Sequence, residues 1–302
     1  LGLIFIGIPE GPSEVFRIAA ESEKFSLGSF KLDFTTSTFW MILVYGLFIN
    51  LQNFGIDQSY VQRYLTAKTE EEAKKSTWLG SLLNVPVSLV FFFIGTALFT
   101  YYQAQPDLLP EGLAGDKVFP YFIVNQLPVG VTGLLIASIF AAGMSTVSTS
   151  INSSATVILS DHFRRYIHPN PSEKLSLRVL RLASLVMGLL SIVVGLAFNG
   201  VTSALDAWWA LSSIFSGGIL GLFLLGLLTK AKNPQAIFAV ILGVLVIGWM
   251  SLSAILIQNG LSETFANPLH TNMTIVMGTL TIFLVGFGLS WLGRRKDGDK
   301  VI

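Results

Sequence analysis

VTGLLIASIFAAGMSTVSTSINSSATVILSD (131–161) is the stretch on which the reading of this chain turns. It carries no charge before Asp161, and it is long enough as a helix to cross about 30 Å of hydrocarbon at 1.5 Å per residue. Its second half is nevertheless rich in Ser and Thr rather than Leu. At about 100° per residue, Ala142, Ser145, Thr146, Thr149 and Ser153 share one narrow face, with Ser148 at its flank. Hydroxyls in that pattern, with freed backbone carbonyls, form a cluster of neutral oxygens. Such a cluster can replace the hydration water of a hard monovalent cation without holding the ion too tightly. The same small residues also let helices pack closely, and spacing alone leaves both readings open.

Outward from this stretch, uncharged runs of similar length recur. Seven spans are predicted, near 36–56, 78–104, 131–160, 179–200, 207–229, 234–257 and 272–293. The composition agrees: 52% of the 302 residues are hydrophobic and 12% charged, with a mean hydropathy of +0.66. Soluble domains carry about twice that density of charge. The fold class expected is therefore an all-α polytopic membrane protein. Fifteen of the 19 Lys and Arg fall in segments 57–77, 161–181, 230–233 and 294–302, leaving Arg17, Lys24, Lys31 and Lys117 for the other side. That asymmetry matches strict alternation of the seven spans, with the C-terminus cytoplasmic.

The remaining segments are read more coarsely. LGLIFIGIP (1–9) is too short to span and is expected to be the outer half of a helix that begins upstream. Residues 10–35 have rough helical spacing and suit a surface-lying segment. Residues 105–130, with four prolines, suit a lid over an extracellular opening, or an ordinary structured loop. In WMILVYGLFINLQNFGIDQ (40–58), Asn50, Gln52 and Asn53 stand inside a membrane helix. They are expected to face other helices or a water-filled cavity, with Gly55 offering a place to unwind. An amphipathic helix end at the interface is the alternative.

Several functions are disfavoured. A net charge of +1 argues against nucleic-acid binding through bulk positive charge. No cysteine is present to supply a thiolate metal site or nucleophile, and there are only three histidines. No span places an Asp, Glu, His, Lys or Arg near its centre, which argues against a proton relay and an embedded hydrolase. No repeated filter-like loop supports a channel.

NFGIDQSYVQRYLTAKTEEEAKKS (53–76) and AAGMSTVSTSINSSATVILSDHFRRY (141–166) resemble the sodium:solute symporters. FFFIGTALFTYYQAQPDLLP (91–110) and SGGILGLFLLGLLTKAKN (216–233) support the resemblance, which runs along essentially the whole chain. The lid-like segment resembles most the sialic-acid-transporting bacterial members. The resemblance implies a leucine-transporter-like fold of two inverted five-helix repeats plus extra helices. Residues 1–9 would end the fifth core helix, 36–229 would supply core helices six to ten, and 234–293 two accessory helices. The extracellular segment 10–35 and a cytoplasmic tail, 294–302, complete the chain. Most of the first repeat would then lie outside it, so the missing N-terminal helices are expected partners, with the lipid bilayer and a small polar solute.

The resemblance also implies site residues. The coupling ion is sodium, at the Ala142 carbonyl and the Ser145 and Thr146 hydroxyls, with Ser148 and Thr149 matching a second sodium site. Asn50, Asn53, Phe54, Asn84 and Trp209 match solute-site positions. Asn53 departs from an aromatic, Asn84 from a Lys and Trp209 from a Gln of some relatives, which weakens a plain glucose or galactose assignment. The function implied is sodium-coupled symport of a sugar or sialic acid in a bacterial inner membrane, not an enzyme. A carboxylate, amino acid or vitamin as solute shares these features. A receptor or a structural membrane protein is the alternative from another class.

Overall fold

The computed structural model describes residues 1–8, 11–198, 204–258, 260 and 262–298, with only the backbone described for 204–207, 209–211, 213–215, 254–256, 258 and 294–298. Among the described residues every regular element is helical. In chain order these are α1 (Gly2–Gly7), α2 (Pro12–Glu21), α3 (Phe39–Ile56), α4 (Gln58–Tyr64), α5 (Glu70–Ala104), α6 (Gly115–Asn125) and α7 (Val129–Val157), followed by α8 (Glu173–Ala197), α9 (Ala204–Leu228), α10 (Asn233–Gln258) and α11 (Met273–Gly298). A π-helix, Ile158–Ile167, continues α7. Six helices are long and apolar enough to cross a membrane, and the described residues of α9 add an apolar piece, Ser216–Leu228. Long rows of exposed apolar side chains, such as Leu79, Leu82, Leu83 and Phe92 on α5, require a non-aqueous surround.

The chain divides into two compact units. The first comprises Leu1–Ser26 and Gln62–Ala197. Its core gathers at one end, where Ile4, Ile8, Val15, Leu98, Tyr101, Tyr102 and Phe122 are buried together. The Phe16 ring lies 5.7 Å from Phe93, and Tyr101 meets Phe122 edge-on at 5.3 Å. Gln105 Nε2 donates to Gly7 O at 2.8 Å and ties α1 to the end of α5. Within residues 10–35, whose apolar spacing is roughly helical, α2 forms. It buries Val15 and Ala19, while Arg17 on its exposed side pairs with Glu14 and Glu21.

Helix α5 starts at Glu70, eight residues before the predicted span, because TEEEAKK (69–75) is a strong local start signal. Thr69 Oγ1 accepts from Glu72 N at 3.2 Å, and Glu72 reaches back to Lys68 N at 3.1 Å, a variant of the capping box. Lys74 and Lys75 pair with Glu70 and Glu71 one turn earlier.

The second unit comprises Leu27–Val61 and Phe198–Ile302. Here α9, α10 and α11 pack on one another, with α3 against α9 and α11. Met41, Met250, Met273, Ile275 and Val276 form one buried cluster, and Leu220, Leu225, Ile247 and Ile282 are also buried. Glycine allows the close approach: a Cβ on Gly278 would lie 2.6 Å from Ile247 Cδ1 and 2.8 Å from Gly217 O. Thr279 Oγ1 donates to that same Gly217 carbonyl at 3.3 Å.

A buried threonine, Thr38, caps α3. Its Oγ1 accepts from Met41 N at 3.3 Å and donates to Asp33 O at 2.7 Å. The Asp33 carboxylate in turn accepts from Thr35 N at 2.8 Å and Thr35 Oγ1 at 2.7 Å, which holds its pKa below the ordinary 3.8. A depressed folded pKa stabilises the turn above the ordinary value and loses that contribution as pH falls through the folded one. Protection of the Thr35 amide in hydrogen exchange is therefore expected to persist at pH 3.8 and to fail only at lower pH. Asp33→Asn should flatten this dependence. A loss of protection well above pH 3.8 in the parent protein would contradict the assignment.

Candidate functional site

The Ser/Thr face is built on the middle of α7. Ser145 Oγ donates to Ala142 O at 3.2 Å and Thr146 Oγ1 donates to the same carbonyl at 3.1 Å. Three neutral oxygens therefore converge at one turn of the helix. Each hydroxyl parks its only proton on the carbonyl and keeps its lone pairs outward. One turn on, Thr149 Oγ1 donates to Ser145 O at 2.9 Å. Ala142, Ser145, Thr146 and Ser148 are exposed and Thr149 half-buried, so the face is open to an ion or to another helix.

Oxygens 3.1–3.2 Å apart can share one cation at the roughly 2.3–2.6 Å distances typical of calcium, an ion of sodium's size. The donor set holds no carboxylate, which suits a single positive charge better than two. Among the described residues no group of three His, Cys, Asp or Glu is placed to hold a metal. The donor chemistry fits sodium.

Sequence reasoning missed one partner of this face. Gln62 Nε2 on α4 donates to Ser153 Oγ at 3.0 Å, and Ser153 is buried one turn beyond Thr149. The link joins the two most specific sequence motifs, 53–76 and 141–166. Its only advance signal was a polar residue in each.

The other predicted site residues fall on separate elements. Asn50, Asn53 and Phe54 occupy the last two turns of α3, Asn50 exposed and the others half-buried. Asn84 is exposed on α5, two residues before Pro86. Trp209 belongs to α9, and its side chain lies outside the described residues.

One expectation for α3 is corrected. The helix does not unwind at Gly55; it runs to Ile56 and breaks at Asp57, whose Oδ1 accepts from Ser59 N at 2.7 Å and starts α4. An aspartate cap, not glycine freedom, makes the break. The exposed Asn50 side chain donates from Nδ2 to Gly46 O at 2.7 Å within α3. Gln52 Oε1 is buried without a hydrogen-bond partner, and the Phe54 ring lies 5.1 Å from Tyr60.

Residues 105–128 fold over the end of α5. A short turn of helix at Pro106–Leu108 and then α6 line, with Leu98, Phe99 and Tyr102, an open cleft of about 600 Å³. Lys24 Nζ sits 4.0 Å above the Phe99 ring at its edge.

Residues 16–243 match the sodium:solute symporter family. The chain is 32% identical over 283 residues to the sodium/sialic acid symporter NanT of Aliivibrio fischeri, covering 92% of this chain and 55% of that protein. It is 31% identical to the sodium/sialic acid symporter SiaT of Proteus mirabilis, covering 92% and 56%. The solved structure of a Na+-coupled sialic acid symporter, substrate-bound and outward-open, superposes with a TM-score of 0.80 at 29% identity over 96% of this chain and 57% of that one. The chain thus spans about half the length of the curated relatives it matches.

Proposed function

The chain belongs to the sodium:solute symporter family, and on that footing we propose that it forms the second-repeat half of a sodium-driven symporter for a small polar solute of the sialic acid or sugar class. The observation that carries this reading is the convergence of Ser145 Oγ and Thr146 Oγ1 on Ala142 O. These three oxygens would take sodium together with a helix of the first repeat, and Ser148 and Thr149 would serve a second ion. Asn50, Asn53, Phe54, Asn84 and Trp209 would line the solute site.

The chain is a multi-pass membrane protein. In the arrangement proposed, α1 ends core helix five and α3, α5, α7, α8 and α9 are core helices six to ten. The two accessory helices would be α10 and α11, with the C-terminus on the cytoplasmic side of a bacterial inner membrane. Helices of the upstream half cover the exposed face of α7. Sodium bound there ties α7 to that half and favours the outward-open state, so entry of sodium and solute is coupled. Each sodium crossing about 100 mV contributes roughly 2.3 kcal/mol.

The test is uptake by the full-length protein in proteoliposomes, with and without an inward sodium gradient, over sialic acid, glucose, galactose, lactate and proline. Accumulation of sialic acid or a sugar only with sodium is expected. Sodium-dependent uptake of lactate or proline alone would keep the coupling and replace the solute class. Equal uptake with potassium would remove the coupling role of α7.

A further inference from the structure

At the end of the first unit where α7 passes into the π-helix and on to α8, five cations stand without acidic partners. Arg164, Arg165, Lys174, Arg178 and Arg181 are all exposed, and among the described residues none of them forms an ion pair. Asp161 and Glu173, the acidic groups nearest in sequence, are not engaged with them. Lys74 and Lys75 on α5 show the contrast, since each is paired within its own helix at 2.7 and 2.9 Å.

The pattern along α8 is more specific than charge alone. Lys174, Arg178 and Arg181 are spaced i, i+4, i+7, so they form one stripe about 10 Å long on one helix face. Leu185 follows Arg181 by four residues and Leu182 follows Arg178 by four, so the same face continues as leucine. Both leucines are exposed, at 64% for Leu182 and 60% for Leu185. The stripe thus changes from cationic to apolar in the direction of the span. The π-helix packs against α8 and carries Arg164 and Arg165, with the Arg165 guanidinium 5.5 Å from the exposed Tyr166 ring.

We infer that this face is a binding site for an anionic phospholipid, its phosphate held by Lys174, Arg178 and Arg181 and its acyl chain laid along Leu182 and Leu185. A soluble anion would use the cations but not the leucines below them. A protein helix would leave three cations needing carboxylates, whereas a phosphodiester at the leaflet surface supplies the charge at the depth where the stripe ends. The inference rests on the membrane reading above for placing this end at a leaflet surface. It does not depend on which solute is carried.

The test uses delipidated full-length protein in neutral detergent, titrated with dansyl-phosphatidylglycerol or dansyl-phosphatidylcholine and read by energy transfer from tryptophan. Phosphatidylglycerol is expected to bind about tenfold more tightly. The triple variant K174Q/R178Q/R181Q should lose that tenfold preference. K68Q/K74Q/K75Q removes the same net charge and should keep the preference. R178K/R181K retains the charge and should bind nearly as the parent does, which separates lost recognition from lost folding. Equal losses in the two triple variants would mean a diffuse field, and no loss in the first would mean a face covered by protein. Displacement by millimolar inorganic phosphate would mean a site for a soluble anion. Each of these three results overturns the inference. Because the readout is lipid binding in detergent, its failure and a failure of sodium-driven uptake are separate outcomes.

Discussion

Ser145→Ala in the full-length protein is expected to raise the sodium concentration needed for half-maximal uptake by about 10–100-fold, the loss of one directly bonding oxygen. At ordinary sodium concentrations uptake should nearly vanish. The competing explanation, a damaged helix, is weak on this geometry. Ser145 Oγ bonds only back to Ala142 O, a carbonyl that also accepts from Thr146 Oγ1 at 3.1 Å, so no buried group loses its last partner. Alanine is moreover the better helix former, by a few tenths of a kcal/mol. Thr146→Ser keeps the oxygen and should stay near the parent. Ser154→Ala, about 180° around the helix from Ser145 and at least 80° from Ala142 and Thr146, removes a hydroxyl that the site does not use and should leave sodium dependence unchanged. If Ser145→Ala keeps the parent's sodium dependence, the hydroxyl face of α7 serves packing alone.

The sequence reading was good where one physical rule dominated and poor where two competed. Uncharged length marks six helices long and apolar enough to cross a membrane, α3, α5, α7, α8, α10 and α11, and the seventh predicted span falls on α9, whose described apolar piece is shorter. Helical spacing put Ala142, Ser145 and Thr146 together, and their oxygens do converge. Ends were harder. Capping extends α5 back to Glu70, where charge density had suggested a loop, because Glu70–Lys74 and Glu71–Lys75 pairs make a solvated helix stable.

Hydropathy could not show the π-helix at Ile158–Ile167, since a wider helical turn leaves the identity of its residues unchanged. Its signature is His168 N donating to Phe163 O at 2.8 Å, five residues back. At Gly55 and Asp57 two helix-ending signals stood two residues apart, and the cap determined the break. The Gln62–Ser153 bond spans 91 residues, and no local rule ties positions so distant. The solute positions rest on the family resemblance, because amides at Asn50, Asn53 and Asn84 have no spacing rule of their own.

Two glycines five residues apart on α9 should respond to alanine with different outcomes. A Cβ on Gly221 would lie 2.6 Å from Thr279 O, 2.9 Å from Ile282 Cβ and 3.0 Å from Thr279 Cα. Two of those atoms are backbone of α11, so no side-chain rotation relieves the clash and α9 must back away from α11. In lipid, tails are as apolar as side chains, so close backbone packing carries much of helix association and its loss is not replaced by hydrophobic burial. Overpacking of this kind costs about 1–3 kcal/mol. Gly221→Ala should therefore lower the melting temperature of the full-length protein in detergent by several degrees. Gly226 has nothing within 4 Å of a Cβ, so Gly226→Ala meets no obstacle and gains helix propensity of up to about 1 kcal/mol. Its melting temperature should hold or rise. Equal shifts for the two variants would mean that α9 and α11 are not packed through Gly221. A fall confined to Gly221→Ala is the result that close packing requires.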